Sequence, residues 1–354
     1  MAEFCIDKTD ILIQFAGLDC LMEKFFILFM VLVAAALGGG TRHHVRFSAP
    51  RIPIILDTDI GDDIDDTWAL VMLLKSPEFD LKLVTTTHGK AVYRARLIAR
   101  LFEVSGRTDI PIGLGAGGHD GTGRQQPWIE DYDLKNYPGK IHDDGVQALV
   151  DAVMNEPQPI TIISIGPSTT VASALERRPD IASRATFVGM QGAVRKGYDG
   201  GPVGPEYNVR ENVPAAKRAL LAPWIETVIT PLDTCGLVRL KGMRFQALKK
   251  NRDKLIAALL ENCRIWANKD SLDQLTESSV LFDTVAVYLA LPGPKSHLYL
   301  EQLAINVTTD GMTIVDPAGA KMSVATAWKD LDAYEDFLLK ALLSAPKFRS
   351  GGRA

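Results

Sequence analysis

Six aspartates stand close together in this chain: Asp57, Asp59, Asp62, Asp63, Asp65 and Asp66. The apolar, β-branched residues before them, Ile52 to Leu56, read as a buried strand. Thr67 to Leu74 after them read as an apolar helix, with Gly61 at the bend between the two. The carboxylates therefore crowd the carboxyl end of a strand and the first turn of a helix, the edge at which open α/β sheets bind ligands. A helix N-terminus accommodates one or two acids, not six. Carboxylates a few ångströms apart must protonate or share a cation. A hard divalent ion resolves the repulsion, and Ca²⁺ suits a cluster free of sulfur and imidazole. The alternative is a solvated acidic loop, which would not need a buried strand to aim it.

The elements that must hold such a cluster follow from Arg51 onward as alternating strand and helix patterns. Strands are expected at 52–57, 81–87, 110–114, 160–165, 186–190 and 227–231. Helices are expected at 65–75, 91–104, 145–155, 169–177 and 214–221. Further on come helices near 244–266 and 279–291, a strand at 302–308 meeting the turn Asp310-Gly311, and a final helix at about 330–343. This rhythm predicts an α/β fold, a single domain over 51–347 whose open, mostly parallel sheet is flanked by helices. Arg94, Arg96 and Arg100 share the predicted helix 91–104 and read as its solvated face. The glycine-rich stretch 115–123 lacks the Gly-Lys-Ser/Thr of a phosphate cradle and reads as a loop.

The N-terminal residues 1–50 read as a leader. Phe25 to Leu37 is an unbroken apolar run, short of the roughly 20 residues of a membrane span and of the size of a signal-peptide core. Met22, just upstream, offers an alternative start. Export is the expectation, with a membrane anchor or a cytoplasmic location as alternatives. Cys5 and Cys20 would leave with the leader, and Cys235 and Cys263 are too few to define a disulfide framework. The net charge of −4, without a basic stripe, gives no support for nucleic-acid binding.

Two families begin in a similar way. Phosphatases of the haloacid-dehalogenase type carry Asp-x-Asp-x-Thr after a strand, but Asp57-Thr-Asp59-Ile-Gly61 puts glycine at the wrong place, and no convincing downstream Lys with an acidic pair follows. The chain resembles instead the inosine–uridine-preferring nucleoside hydrolases, N-ribohydrolases with a bound Ca²⁺. Four motifs carry the resemblance in order: Asp57-Thr-Asp59…Asp65-Asp66-x-x-Ala-Leu, Ile165-Gly-Pro-Ser-Thr169, Glu206-Tyr-Asn208 and Phe282-Asp283-Thr-Val-Ala-Val. The first is two residues longer than the family's shorter Asp-x-Asp-Pro-Gly-x-Asp-Asp form.

The resemblance implies a Rossmann-like sheet and hydrolysis of the N-glycosidic bond of ribonucleosides. It gives Asp59 the roles of metal ligand and general base, Asp66 and Asp283 those of metal ligands, and Thr169 a backbone carbonyl on the ion. Asp65, Glu206 and Asn208 would hold ribose hydroxyls. Glu206 and Asn208, two apart, would share a face of an extended segment. His142 would lie near the base, and Lys90 and Met190 complete the substrate-binding set. Alone, Asp283 would read as a helix cap and Thr169 as another. The resemblance also implies a homodimer or homotetramer and a nucleoside as the small-molecule partner. Phe282 stands where members often carry His, and Lys90 where Asn is usual. Lys90 is placed to pair with Asp63 or to reshape ribose recognition. The Asn expected before Glu206 is missing from Tyr198-Asp-Gly-Gly-Pro. These departures leave two alternatives: an N-glycosidase for another ribosyl compound, or a ribose- and Ca²⁺-binding relative without turnover.

Overall fold

The computed structural model describes residues 50–293 and 295–344. The expected leader, its apolar run 25–37 and the end of the chain lie outside the described residues. Among the described residues no helix is long and apolar enough to cross a membrane.

In chain order the elements run β1 (Ile52–Thr58), α1 (Asp65–Lys75), β2 (Phe79–Thr86), α2 (Ala91–Ser105), β3 (Ile112–Gly113), β4 (Ile141–His142), α3 (Gly145–Asn155), β5 (Ile160–Ser164) and α4 (Thr169–Arg177). There follow β6 (Ala185–Met190), α5 (Tyr207–Arg210), α6 (Val213–Leu220), β7 (Glu226–Thr230), α7 (Leu232–Cys235), α8 (Gly242–Lys249), α9 (Lys254–Trp266) and α10 (Phe282–Ala290). β8 (Leu298–Val307), β9 (Thr313–Val315), β10 (Ala320–Trp328) and α11 (Leu331–Leu343) complete the described chain. One sheet of order β4-β3-β2-β1-β5-β6-β7-β10-β8-β9 contains every strand. It is parallel from β4 through β10; β8 alone is reversed, pairing antiparallel with both β10 and β9.

β1 is central because it is apolar on both faces. Ile54 and Leu56 enter one core, with Trp68, Phe102, Val285 and Tyr334. Ile55, pointing the other way, enters a second core with Leu149, Val171 and Leu220. β1 pairs with β2 on one side and with β5 on the other. The connections after β1 and β5 therefore depart in opposite directions, and a crevice opens between their carboxyl ends. Every residue of α1 is buried, as its unbroken apolar run Trp68–Leu74 demands. Its terminal Lys75 is held by Asp253 at 2.6 Å and the Ser344 carbonyl at 3.1 Å.

Three sequence expectations are corrected. The helix expected over 244–266 is two, α8 and α9, because the Asp253 carboxylate accepts from the Leu255 and Ile256 amides and starts a new helix. β4, β9 and β10 lie outside the expected strands: β10, Ala-Lys-Met-Ser-Val-Ala-Thr-Ala-Trp, alternates only to Val324, loses phase where its register with β8 shifts after Ala325, and is fixed by pairing with β7 and β8. The arginines of α2 are not a solvated face. Arg96 donates to the Tyr132 carbonyl at 2.8 Å. Arg100 reaches Asp131 at 2.7 Å and lies over the Trp128 ring, so both brace the 126–132 loop. Arg94 is completely buried. The 115–123 loop is as expected, and the two cysteines of the described chain, Cys235 and Cys263, are free.

Candidate active site

The crevice between β1 and β5 opens into a cavity of about 870 Å³. Its lining is acidic, with Asp59, Asp65, Asp66, Asp283 and Glu206, and includes Asn208, Met190 and Ile165. It is also aromatic, with Tyr198, Tyr207, Trp266 and Phe282. Arg124 lies over the Trp266 ring at 5.5 Å, and the Phe282 and Tyr198 rings are 5.8 Å apart. Lys90 and Asp62 also line the cavity.

Strand alternation sorts the six aspartates. Asp57 follows Ile55 onto the opposite face, where Thr85 donates to its Oδ1 at 2.7 Å. Burial pushes its carboxyl well above the ordinary range. Asp62 is taken by two cations, Lys90 at 2.6 Å and Arg94 at 2.9 Å. Lys90 thus pairs with Asp62, not Asp63, which is exposed at the rim and accepts from the Ile64 amide. Three of the run remain buried in the cavity: Asp59, Asp65 and Asp66. α10 delivers a fourth, Asp283, from a distant part of the chain.

Asp65, Asp66 and Asp283 each offer an oxygen within 4.8 Å of the others. Two oxygens on opposite sides of a Ca²⁺ ion, at about 2.4 Å each, span about 4.8 Å. All three carboxyls are held well above their ordinary range, first by burial and then by neighbouring carboxylates: Asp63 and Asp59 act on Asp65, Asp59 and Asp65 on Asp66, and Asp65, Asp66 and Asp59 on Asp283. Without a cation Asp283 and Asp65 are near enough to hydrogen-bond, and Thr58 donates to Asp66. A buried set of hard oxygens with no sulfur or imidazole fits a hard divalent cation. Asp59 lies beside this group but outside it. Burial raises its carboxyl from 3.8 to about 6, with the Arg94 charge opposing and Asp62 adding to the rise. A Cβ on Gly166 would come within 2.5 Å of the Asp59 Oδ1, which is why the Ile165-Gly-Pro turn needs glycine there.

Glu206 and Asn208 do not sit on an extended segment. Glu206 caps α5: its carboxylate accepts from the amides of Gly192 (2.9 Å), Asn208 (2.8 Å) and Val209 (3.3 Å). Burial nevertheless pushes it up to about 7. Asn208 turns its Nδ2 to the carbonyls of Ile165 (3.1 Å) and Met190 (3.0 Å), tying β5 to β6. Its Oδ1 accepts nothing among the described residues.

Two expected site residues are not brought to the cavity. Thr169 opens α4; its carbonyl accepts from the Ser173 hydroxyl at 2.9 Å and its hydroxyl from Asn212 at 3.2 Å. Ile165, four residues earlier, lines the cavity instead. His142 belongs to the edge strand β4, paired with Gly113 of β3, and is absent from the lining. Conversely, Trp266, Arg124, Tyr198 and Leu232 line the cavity without having been anticipated. They come from four separate parts of the chain, and no local motif connects them.

A family model described as inosine-uridine preferring nucleoside hydrolase matches residues 54–335. The pyrimidine-specific ribonucleoside hydrolase RihA of Escherichia coli O7:K1 is 28% identical over 232 residues, 59% of this chain and 70% of that protein. RihA of Escherichia fergusonii matches at the same 28% identity over the same shares. Among solved structures, the plant nucleoside hydrolase PpNRh1 aligns with a TM-score of 0.69 at 21% identity, covering 84% of this chain and 100% of its own. A purine-preferring ribonucleoside hydrolase from Gardnerella vaginalis aligns with a TM-score of 0.64 at 21% identity, covering 82% of this chain and 98% of its own.

Proposed function

The chain belongs to the inosine-uridine preferring nucleoside hydrolase family, hydrolases of N-glycosyl compounds, and from that premise we propose that it cleaves ribonucleosides to ribose and free base with Ca²⁺ as its ion and Asp59 as general base. The observation that carries the proposal is the buried group Asp65, Asp66 and Asp283 with Asp59 at its side. Asp65, Asp66 and Asp283 would hold the ion. When bound, Ca²⁺ supplies the positive charge that acidifies a neighbouring water and orients the sugar hydroxyls. Asp59, with its carboxyl raised to about 6, is matched to take a proton from water near neutral pH. As the bond to the base breaks, its electron pair leaves with the base and positive charge builds on the ribose. The carboxylates lining the cavity stabilise that charge. Glu206 and the free Oδ1 of Asn208 are placed for ribose hydroxyls, and Asp65 can serve a hydroxyl as well as the ion. The aromatic side chains of the lining offer ring faces to a planar base.

Chromatography of a nucleoside mixture incubated with the protein tests this reading, with Ca²⁺ and with chelator. The mixture contains purines and pyrimidines, because the matched relatives are named for both. Free base and ribose in the Ca²⁺ arm alone are expected; intact nucleosides in both arms would reject it.

A pH dependence follows. In the ion-free protein Asp59, Asp65, Asp66 and Asp283 all have folded-state pKa values raised above those of the unfolded chain. Their contribution to stability is complete below pH 3.8 and is lost as pH rises, through about 6 for Asp59. Ca²⁺ displaces those protons. The rise in Tm on adding Ca²⁺ should therefore be larger at pH 7.5 than at pH 5. An equal rise at both would mean the ion is not bound by these carboxyls.

The apolar run Phe25–Leu37 supports export, which fractionation with activity assay tests. Family analogy supports a homodimer or homotetramer, which sedimentation tests.

A further inference from the structure

The segment that carries the acidic cluster has no backbone ladder of its own. Four successive carbonyls, those of Asp59, Ile60, Gly61 and Asp62, accept instead from side chains. Arg94 donates to Asp59 and, at 2.9 Å, to Ile60. The Tyr93 hydroxyl donates to Gly61 at 2.9 Å, and the Trp266 indole to Asp62 at 3.1 Å. Arg94 is the centre of this arrangement. A guanidinium has five N–H donors in a fixed fork, and all five are used. The other three go to the carbonyls of Gly89 (2.9 Å) and His88 (3.2 Å) and to the Asp62 carboxylate (2.9 Å). Arg94 thus fastens the loop after β1 to the turn before α2. That turn is itself strained: His88, Gly89 and Lys90 have φ of +57°, +73° and +52°. Asn tolerates this left-handed region better than Lys does. Lys90 occupies it and places its ammonium 2.6 Å from the Asp62 Oδ1.

Two departures from the family pattern therefore meet. Asp62 lies in the loop that is two residues longer than the shorter form, and Lys90 stands where Asn is usual. Each answers the other.

We propose that Arg94 is a positioning residue for the proposed metal site, and that Asp62, which lines the cavity, serves it by anchoring the loop to Arg94 and Lys90. This builds on the Ca²⁺-dependent reading above. The clamp fixes the peptide groups flanking Asp59, and through them the aim of its carboxylate and the start of α1 with Asp65 and Asp66. Loss of supporting partners of this kind costs about 10–100-fold in metal affinity or activity.

The test uses the full chain and the variants Arg94→Lys, Asp62→Asn, Lys90→Asn and the Lys90→Asn/Asp62→Asn double. Each is checked by circular dichroism and measured for Ca²⁺ affinity by calorimetry, for kcat and KM, and for hydrogen exchange of residues 59–66. Arg94→Lys keeps the charge but supplies three donors instead of five, and should lose about ten-fold in Ca²⁺ affinity, with faster exchange in the loop. Lys90→Asn relieves backbone strain, so a loss of affinity there reports the ion pair. The double variant should be no worse than Asp62→Asn alone. Unchanged affinity and exchange in Arg94→Lys, or losses that simply multiply in the double variant, would overturn the clamp. An Asp62→Asn loss with a wild-type Lys90→Asn would overturn the part given to Lys90, because Arg94 would then hold Asp62 without it. If Arg94→Lys does not fold, the Asp62 and Lys90 cycle decides. If the wild-type chain neither binds Ca²⁺ nor releases ribose, the function reading fails, and loop exchange still decides the clamp.

Discussion

Asp59→Asn should release ribose about 10²–10⁴-fold more slowly than the wild-type protein, with its fold intact. Asparagine keeps the shape but cannot take a proton. The backbone carbonyl of Asp59, which holds Arg94, is untouched by the change. Removing one charge from a buried acidic group should, if anything, raise the stability of the ion-free protein, because Asp62 and Asp63 both oppose ionisation of Asp59. The effect should fall on kcat, since the group acts on water and not on the sugar. A variant that turns over within ten-fold of wild type would remove Asp59 from the role of base.

Asp283→Ala tests the other half of the chemistry. An aspartate in the first turn of an apolar helix reads most simply as a cap. The structure gives the cap position of α10 to Leu281, and among the described residues no backbone amide donates to Asp283. Its oxygen faces Asp65 and Asp66 instead. Alanine should therefore cost the helix little and the ion much, with a loss of Ca²⁺ affinity beyond the roughly 10–100-fold typical of supporting partners. Calorimetric titration of the variant gives the answer, and melting in chelator separates the two roles. A lower Tm in chelator with unchanged Ca²⁺ affinity would make Asp283 a structural acid and dissolve the three-carboxylate group.

Aspartate spacing alone said that chemistry resides at the end of β1, but not which carboxylates perform it. The period of 2 in β1 sends Asp57 to the far core and Thr58 towards Asp66, and a one-residue change would reverse that. Arg94 shows the limit most clearly. On a helical wheel it belongs with Arg96 and Arg100, yet it is buried. Its acceptors, the carbonyls of the loop after β1, lie some thirty residues away in sequence. Thr169 and His142 show the reverse: each matched a motif, and the backbone carried each away from the cavity, one into a helix and one to the sheet's edge.

Local order therefore came from the residues themselves. Apolar runs, helix starts and the sequence of strands and helices depend on neighbours a few positions apart, and they defined the α/β sheet and the edge where the acids gather. The long-range contacts were settled only on folding. The meeting of Asp283 with Asp65 and Asp66, the aromatic wall from separate segments, the insertion of β10 beside β7 and the burial of Arg94 each depend on closing long loops. Such closures are stabilised by burial and by satisfying polar groups across the whole core, quantities that no stretch of sequence carries within itself.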